Sequence, residues 1–494
     1  MFKVRPQVPP WRLRRALTLC GTGESFRHTT RVDMLPDNVL LEIFDLYRSN
    51  HDYASRTVWR WHLLVHVCQR WRQIVFTSPH RLNLQILCTH GTPVRKNLGI
   101  WPAFPIVIDY CYSGSGITPH DEDNVIAALE HRNHVCYVRL DITGLQLGEM
   151  ATVMQEPFPV LTRLFIGSDD ENAPVLPDGF LGGSAPRLQE IALSGIPYPT
   201  LPTLLLSASD LVELSLHKIP STGYISPEAM VACLAALPRL YTFRIGFRSA
   251  TPRPDRIRPP PVTRTVLPAL TSFRFNGASE YLEDLVAQID SPQLGQIFIF
   301  YLNQLVDFRV AQLSQFVDRS VGPEITLFRH AQVTFVSDWV SFTTYHHETR
   351  LPVRTLISCQ RIDWQVSHIA QVLSQFSATL SNVVHLKLEA QLKEGRQLEG
   401  TDDVEWLHLL HQFSTVQTLH VSQELAGHVA LALEDVTREM VAEVLPSLDL
   451  IRIVGQPASS IEKFVAVRRL SGCPVTVIDT ETEFYEKLKS YVSE

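Results

Sequence analysis

From about residue 130 onward the hydrophobic residues keep a fixed short-range pattern, an apolar anchor followed by apolar residues three and five positions later. It appears in Val135/Val138/Leu140, Leu161/Leu164/Ile166, Leu188/Ile191/Leu193, Leu211/Leu214/Leu216 and Leu240/Phe243/Ile245. It continues in Leu270/Phe273/Phe275, Leu294/Ile297/Ile299, Val383/Leu386/Leu388, Val416/Leu419/Val421 and Leu448/Ile451/Ile453. Less regular members begin at His330 (Val333, Phe335) and Val353 (Leu356). Side chains alternate along a strand, so positions +3 and +5 share one side. Each cluster therefore predicts a short strand with one buried face.

Successive anchors lie 23 to 36 residues apart, about 28 on average. Proline stands two residues before six of them, at Pro159, Pro186, Pro238, Pro268, Pro292 and Pro446, where it stops a preceding helix and directs the chain into a strand. Helical stripes fill the intervals. Ser226-Pro227-Glu228 reads as an N-cap with first-turn proline and acid, ahead of Met230, Val231, Leu234 and Leu237. Tyr281, Leu282, Leu285, Val286 and Ile289 form a second stripe, and Val366, Ile369, Leu373 and Phe376 a third. One strand and one helix per unit at this period resembles a leucine-rich repeat. The units lack the asparagine that regular leucine-rich repeats place after the strand, so an uneven array is expected.

Ahead of the array lies a different pattern. Asp33 opens DMLPDNVLLEIFDLY, where Pro36 suits the first helical position and Leu40, Ile43, Phe44 and Tyr47 fall on one face. After a polar break at 48–57, Trp61, Leu64, Val65, Cys68, Trp71 and Val75 keep helical spacing for about four turns. Two such helices are too apolar to stand alone and must pack on each other and on something else.

Leu35-Pro36-x-x-Val39-Leu40-x-x-Ile43-Phe44, with Leu64-Val65-x-Val67-Cys68-x-x-Trp71-Arg72 and Pro79, resembles an F-box, and more closely that of the expanded F-box families of mushroom-forming fungi. The long linker at 48–60 departs from that pattern. The resemblance implies a substrate-recognition subunit of a cullin-type SCF ubiquitin ligase. Leu35, Pro36, Leu40, Ile43 and Phe44 would then lie at the contact with the small cullin adaptor, with Trp71 inside the helical core, and the repeats would hold a substrate protein. The layout of F-box, uneven repeats, the Trp406-Leu407-x-Leu409-Leu410-His411 segment and a long helix before Leu445-Pro446 resembles the same families over nearly the whole chain. The alternative is a leucine-rich-repeat-like interaction scaffold with no ubiquitin role, its N-terminal helices serving as a cap.

The expected fold is thus α/β, a short N-terminal helical F-box module followed by a leucine-rich-repeat-like solenoid. Residues 1–32 read as a disordered basic tail, 33–82 as the F-box and 83–129 as a connecting segment. The solenoid occupies 130–478, and 479–494, with a net charge of −3, reads as a C-terminal capping helix.

Composition narrows the function. The chain has 494 residues, 45% of them hydrophobic, and a net charge of −7, from 44 Lys+Arg against 51 Asp+Glu. That excludes wholesale disorder and argues against a general nucleic-acid binder, which carries a basic face. The long uncharged stretch Ile191 to Ser209 is broken by Pro197, Pro199 and Pro202, so no membrane partner is expected. Eight cysteines without a CxxC pair predict reduced, mostly buried thiols in a cytoplasmic or nuclear protein. Thr251 to Thr265 reads as an exposed proline- and arginine-rich loop. Glu405, His408 and His411 have a spacing that tempts a metal reading, but the face rotates and no further cluster completes a site. His346-His347 points two ways at once, and Gly182-Gly183 and Ser113–Gly116 lack the setting of a phosphate loop. No nucleophile elbow is present. No enzyme activity, cofactor, metal site or catalytic residue is expected.

Overall fold

The computed structural model describes residues 32–49, 61–110, 117–249, 263–302, 310–321, 329–345, 353–358, 362–376, 380–391, 403–434, 436–437, 439–453 and 461–479. Ser113–Gly116, residues 251–262 of the proline-rich loop, His346-His347, the tail before Val32 and residues 480–494 of the expected capping helix lie outside these. The chain divides into two compact units between Leu84 and Gln85.

In the first unit, α1 spans Asp37–Ser49, α2 Trp61–Val65 and α3 Gln69–Thr77. Pro36 stands one position before the first helical residue, and its carbonyl accepts the Leu40 N–H at 3.1 Å. It therefore occupies the capping position. The run from Trp61 to Val75 is two helices rather than one of four turns. Cys68 is extended (φ −158°, ψ 170°), and its Sγ accepts the Trp71 N–H at 3.4 Å, capping α3. Arg72 Nε donates to the Val65 carbonyl at 3.0 Å and so satisfies the end of α2. Leu40, Phe44, Trp61, Leu64, Val65, Ile74 and Val75 are buried. The Phe44 ring packs on Trp71 with centroids 4.8 Å apart. Arg70 ties the helices together, donating to Asp37 at 2.6 Å and to the Leu35 carbonyl at 2.5 Å, and Arg81 pairs with Glu42.

The second unit is built on one long sheet. Its strands begin with β1 (Ile86–Cys88), β2 (Ile106–Tyr110), β3 (Val135–Asp141), β4 (Arg163–Gly167), β5 (Glu190–Ser194), β6 (Glu213–Ile219) and β7 (Thr242–Phe247). A short β8 (Thr265–Val266) pairs apart from the sheet with β10 (Ile289–Asp290), and β9 (Ser272–Gly277) and β11 (Gln296–Tyr301) rejoin it. The remainder are β12 (His330–Val336), β13 (Trp339–Tyr345), β14 (Val353–Ser358), β15 (His385–Gln391), β16 (Thr418–Val421), β17 (Leu450–Ile453) and β18 (Thr476–Asp479). Among the helices between them are α4 (Val94–Leu98), α5 (Pro119–Glu130), α6 (Gly144–Val153), α7 (Leu201–Ser207), α8 (Pro227–Ala235), α9 (Ser279–Val286) and α10 (Ala311–Val321). They continue with α11 (Ile362–Leu373), α12 (Asp403–His411), α13 (Gln423–Glu434) and α14 (Glu462–Leu470). This is the strand-plus-helix solenoid that the spacing predicts.

Register explains the sequence pattern. Residues at +3 stand side by side in neighbouring strands (Leu164, Ile191, Leu214, Phe243, Phe273, Ile297), and residues at +5 form the next buried row (Ile166, Leu193, Leu216, Ile245, Phe275, Ile299). All are buried, as are the anchors that precede each strand. In each proline-marked unit the anchor N–H donates to the carbonyl three residues back, as in Leu240 to Leu237 (3.2 Å) and Leu448 to Leu445 (3.1 Å). The proline thus sits second in a four-residue turn, where its fixed φ is already correct. Ser226 caps α8, accepting the Ala229 N–H at 3.2 Å.

Three expectations need correction. The sheet begins at Ile86 rather than near 130, because the segment read as a connector carries β1, β2, α4 and α5. The Ile106/Ile108/Tyr110 alternation is strand-like but lacks an apolar anchor at the repeat spacing. Second, β12 and β14 are not successive units. The order is β11-β14-β13-β12-β15, in which β13 runs antiparallel between its two neighbours. The alternation within β13 identifies a strand but says nothing of its direction. Third, Ile289 belongs to β10 rather than to the helical stripe before it.

A half-buried carboxyl links two repeats and sets a pH dependence. Glu283 on α9 accepts the Gln312 and Leu313 N–H groups at 2.7 and 2.8 Å, capping the first turn of α10. Burial nevertheless outweighs these bonds and pushes its pKa up from 4.5 to about 7. Between those values the folded chain holds a proton that the unfolded chain releases, so this contribution to stability is full below about 4.5 and lost as pH rises through 7. Glu283→Gln keeps an acceptor and removes the titration. Urea unfolding at a series of pH values should show the variant losing about 1–3 kcal/mol less than the natural chain across this window.

Candidate functional site

The N-terminal unit leaves part of its main helix uncovered. The helix α1 carries a polar side (Asn38, Glu42, Asp45) and one wide apolar arc, of which the unit covers only part. Leu40 and Phe44, at 0% and 1% exposure, face the core. Val39, Ile43, Leu46 and Tyr47, at i, i+4, i+7 and i+8, are 36–63% exposed. Of the five residues expected at an adaptor contact, Pro36 and Ile43 are exposed and Leu35 is half-buried, its carbonyl engaged by Arg70. Leu40 and Phe44 are not surface residues; they pack beneath the stripe. Val39 and Leu46 widen the Leu40, Ile43, Phe44, Tyr47 face on the side that the unit leaves uncovered. Leu63, in α2, and Val67 add further exposed apolar surface to the same unit.

The sheet has one face buried against helices, and the intervening residues form an open face. Its N-terminal part is charge-compensated. Arg163 pairs with Glu190 at 3.1 Å, and Arg244 pairs with Glu213. Further along, Arg274, Phe298 and Arg354 stand in register on β9, β11 and β14, and both guanidinium groups lie over the Phe298 ring, at 5.8 and 5.6 Å. The local field is positive. Burial together with Arg244 and Arg274 holds the His217 pKa below its usual value, and burial with Arg329 and Arg452 does the same for His385.

No family model and no curated protein matches the chain. Among solved structures it is similar to the leucine-rich repeat-containing protein LegL7 from Legionella pneumophila, at 12% identity over 80% of this chain and 99% of that one, with a TM-score of 0.26. A superposition at that level carries no argument, and the repeat assignment rests on the strand register described above.

The other motifs find structural settings. Glu405 is half-buried on α12, His408 is exposed, and His411 lies 3.9 Å from Glu443. Among the described residues no cluster of three metal-ligating side chains forms. Trp406 is fully buried, 5.3 Å from Phe335 and stacked on His428. Gly182 and Gly183 sit in a tight turn with positive φ rather than before a helix. Cys88 and Cys233 are buried, but Cys68 and Cys473 are exposed, so the expectation of mostly buried thiols holds for only part of the described set. Near the sheet's first strands, His90 meets Asp121 at 3.2 Å while Cys88 meets the Tyr110 hydroxyl at 3.7 Å. Burial pushes the Cys88 thiol up to about 12, which keeps it protonated and poorly nucleophilic at neutral pH. Among the described residues no helix is long and apolar enough to cross a membrane.

Proposed function

We propose that this chain is the substrate-recognition (F-box) subunit of a cullin-type ubiquitin ligase, with the N-terminal unit docking the cullin adaptor and the repeats holding a target protein. The observation that carries this reading is the uncovered stripe of Val39, Ile43, Leu46 and Tyr47 on a helical unit that clusters separately from the solenoid. A helix whose only task is to cap a solenoid has no use for an uncovered apolar strip beside its packed one. A helix that also plugs into a partner groove needs one. The Leu35-Pro36 and Ile43-Phe44 pairs and Trp71 support the same reading, with Leu40 and Phe44 serving as the packed floor beneath the contact. The chain's contribution is proximity: it raises the local concentration of target lysines beside the ligase's charged carrier, and the bond-making residues belong to other subunits.

Co-purification of the full-length chain with purified cullin adaptor tests this. A stoichiometric complex that survives gel filtration is the expected result. Failure to bind while the chain remains folded by circular dichroism would favour the scaffold without a ubiquitin role.

A further inference from the structure

The open face of the sheet carries a charge that the whole chain does not. At outward-facing strand positions from β7 to β17, Arg244, Arg274, Arg354, Lys387 and Arg452 stand against the single carboxylate of Glu389, in a chain of net charge −7. Lys387 is held by Glu389 at 2.5 Å and Arg244 by Glu213. Arg274 and Arg354 are exposed and have no carboxylate partner among the described residues. Both instead lie over one aromatic ring, that of Phe298, which they reach from the two flanking strands. Contact with the ring restrains each guanidinium, whose N–H fork suits a carboxylate or a phosphate.

We propose that Arg274, Phe298 and Arg354 form an anion-reading site for an extended, acidic or phosphorylated segment of a target protein. This deepens the reading of the repeats as the target-holding part and does not depend on adaptor binding. The two arginines are two strands apart, about 10 Å. That matches the rise between residues i and i+3 of a segment in the extended polyproline II conformation, about 9 Å, in which residues three apart share one side. The ligand is therefore a segment with two anionic side chains at that spacing, each paired with one guanidinium fork, and its backbone crosses over Phe298.

Fluorescence anisotropy with the full-length chain tests this, using three labelled Gly-Ser peptides of equal length. One carries two phosphoserines three residues apart, one two glutamates at the same positions, and one neither. The expected result is salt-sensitive binding of the phosphoserine peptide, of the glutamate peptide or of both, and none of the neutral peptide; the stronger arm identifies the natural anion. Arg274→Glu with Arg354→Glu should weaken binding about tenfold or more, as should Phe298→Ala to a lesser degree. Arg239→Glu, which makes the same type of charge change at an exposed arginine outside this face, should leave binding within about twofold. Equal loss in Arg239→Glu, absence of binding to both anionic peptides, or tighter binding of a single-stranded RNA of equal charge would overturn the proposal. So would binding that emerges only after residues 480–494 are deleted, which would assign the face to the chain's own acidic end. A chain that binds the adaptor yet ignores both peptides refutes this site alone.

Discussion

Replacing Ile43 and Leu46 together by aspartate is expected to weaken adaptor binding by about a hundredfold or more while leaving the thermal unfolding of the chain almost unchanged. The two effects separate because of where the side chains stand. Ile43 is 42% and Leu46 63% exposed, so neither is part of the packed interior. Surface substitutions of this kind usually change stability by about 0.5 kcal/mol or less. In a docked complex each would be covered. Burying a large aliphatic side chain contributes about 1.5–3 kcal/mol, and the new carboxylates would add a desolvation cost. About 3 kcal/mol already exceeds a hundredfold in affinity. Phe44→Ala makes the opposite case. Phe44 is 1% exposed and packs on Trp71, so its removal should cost about 3–5 kcal/mol of the unit's stability and affect binding only through unfolding. Isothermal titration paired with thermal melts checks both. Unchanged affinity in the double aspartate variant would remove the ground for an adaptor contact on this helix.

Arg468→Met is expected to loosen the last repeats by about 3–5 kcal/mol without melting the distant ones. Arg468 on α14 is 1% exposed, and its guanidinium donates to three carbonyls of the preceding turn: Leu445 at 3.2 Å, Pro446 at 3.3 Å and Leu448 at 2.6 Å. That turn contains Leu445 at φ +48°, a left-handed conformation that leucine rarely adopts. The guanidinium therefore pins a strained turn and supplies donors to the Pro446 and Leu448 carbonyls. Methionine fills the volume but donates nothing. In a repeat array each unit contacts its neighbours, so the loss should remain local. Hydrogen exchange should show faster exchange at the amides of β17 and β18 and unchanged protection in β4 to β7. Uniform loss of protection throughout would show that the array folds as a single cooperative unit.

The repeat core was legible because its signal is short-range. Leu214 and Leu216 need only the two-residue strand period to be assigned to one face, and the neighbouring strands repeat the demand. The cap at Ser226 was equally local. Other features were hidden for physical reasons. Arg468 looks like an ordinary basic residue in the last turn of a helix, and nothing nearby in the sequence marks the turn some twenty residues earlier that it staples. The break at Cys68 hid within continuous apolar spacing because capping depends on a single residue's backbone angles. The uncovered part of α1's apolar arc was hidden because periodicity records which residues are greasy and not which of them the rest of the unit covers.

The amino-acid pattern alone determined that this chain has a helical module followed by strand-and-helix repeats, and which side chains line the buried rows. Those outcomes follow from burying apolar area at spacings of two and about 3.6 residues, which the chain carries locally. The three-dimensional structure alone decided that β13 runs backwards between β14 and β12, that Arg274 and Arg354 meet over Phe298, and that Ile43 remains uncovered while Leu40 does not. Each of these depends on which segments, often dozens of residues apart, become neighbours, and that choice is made by the pairing and packing of the whole.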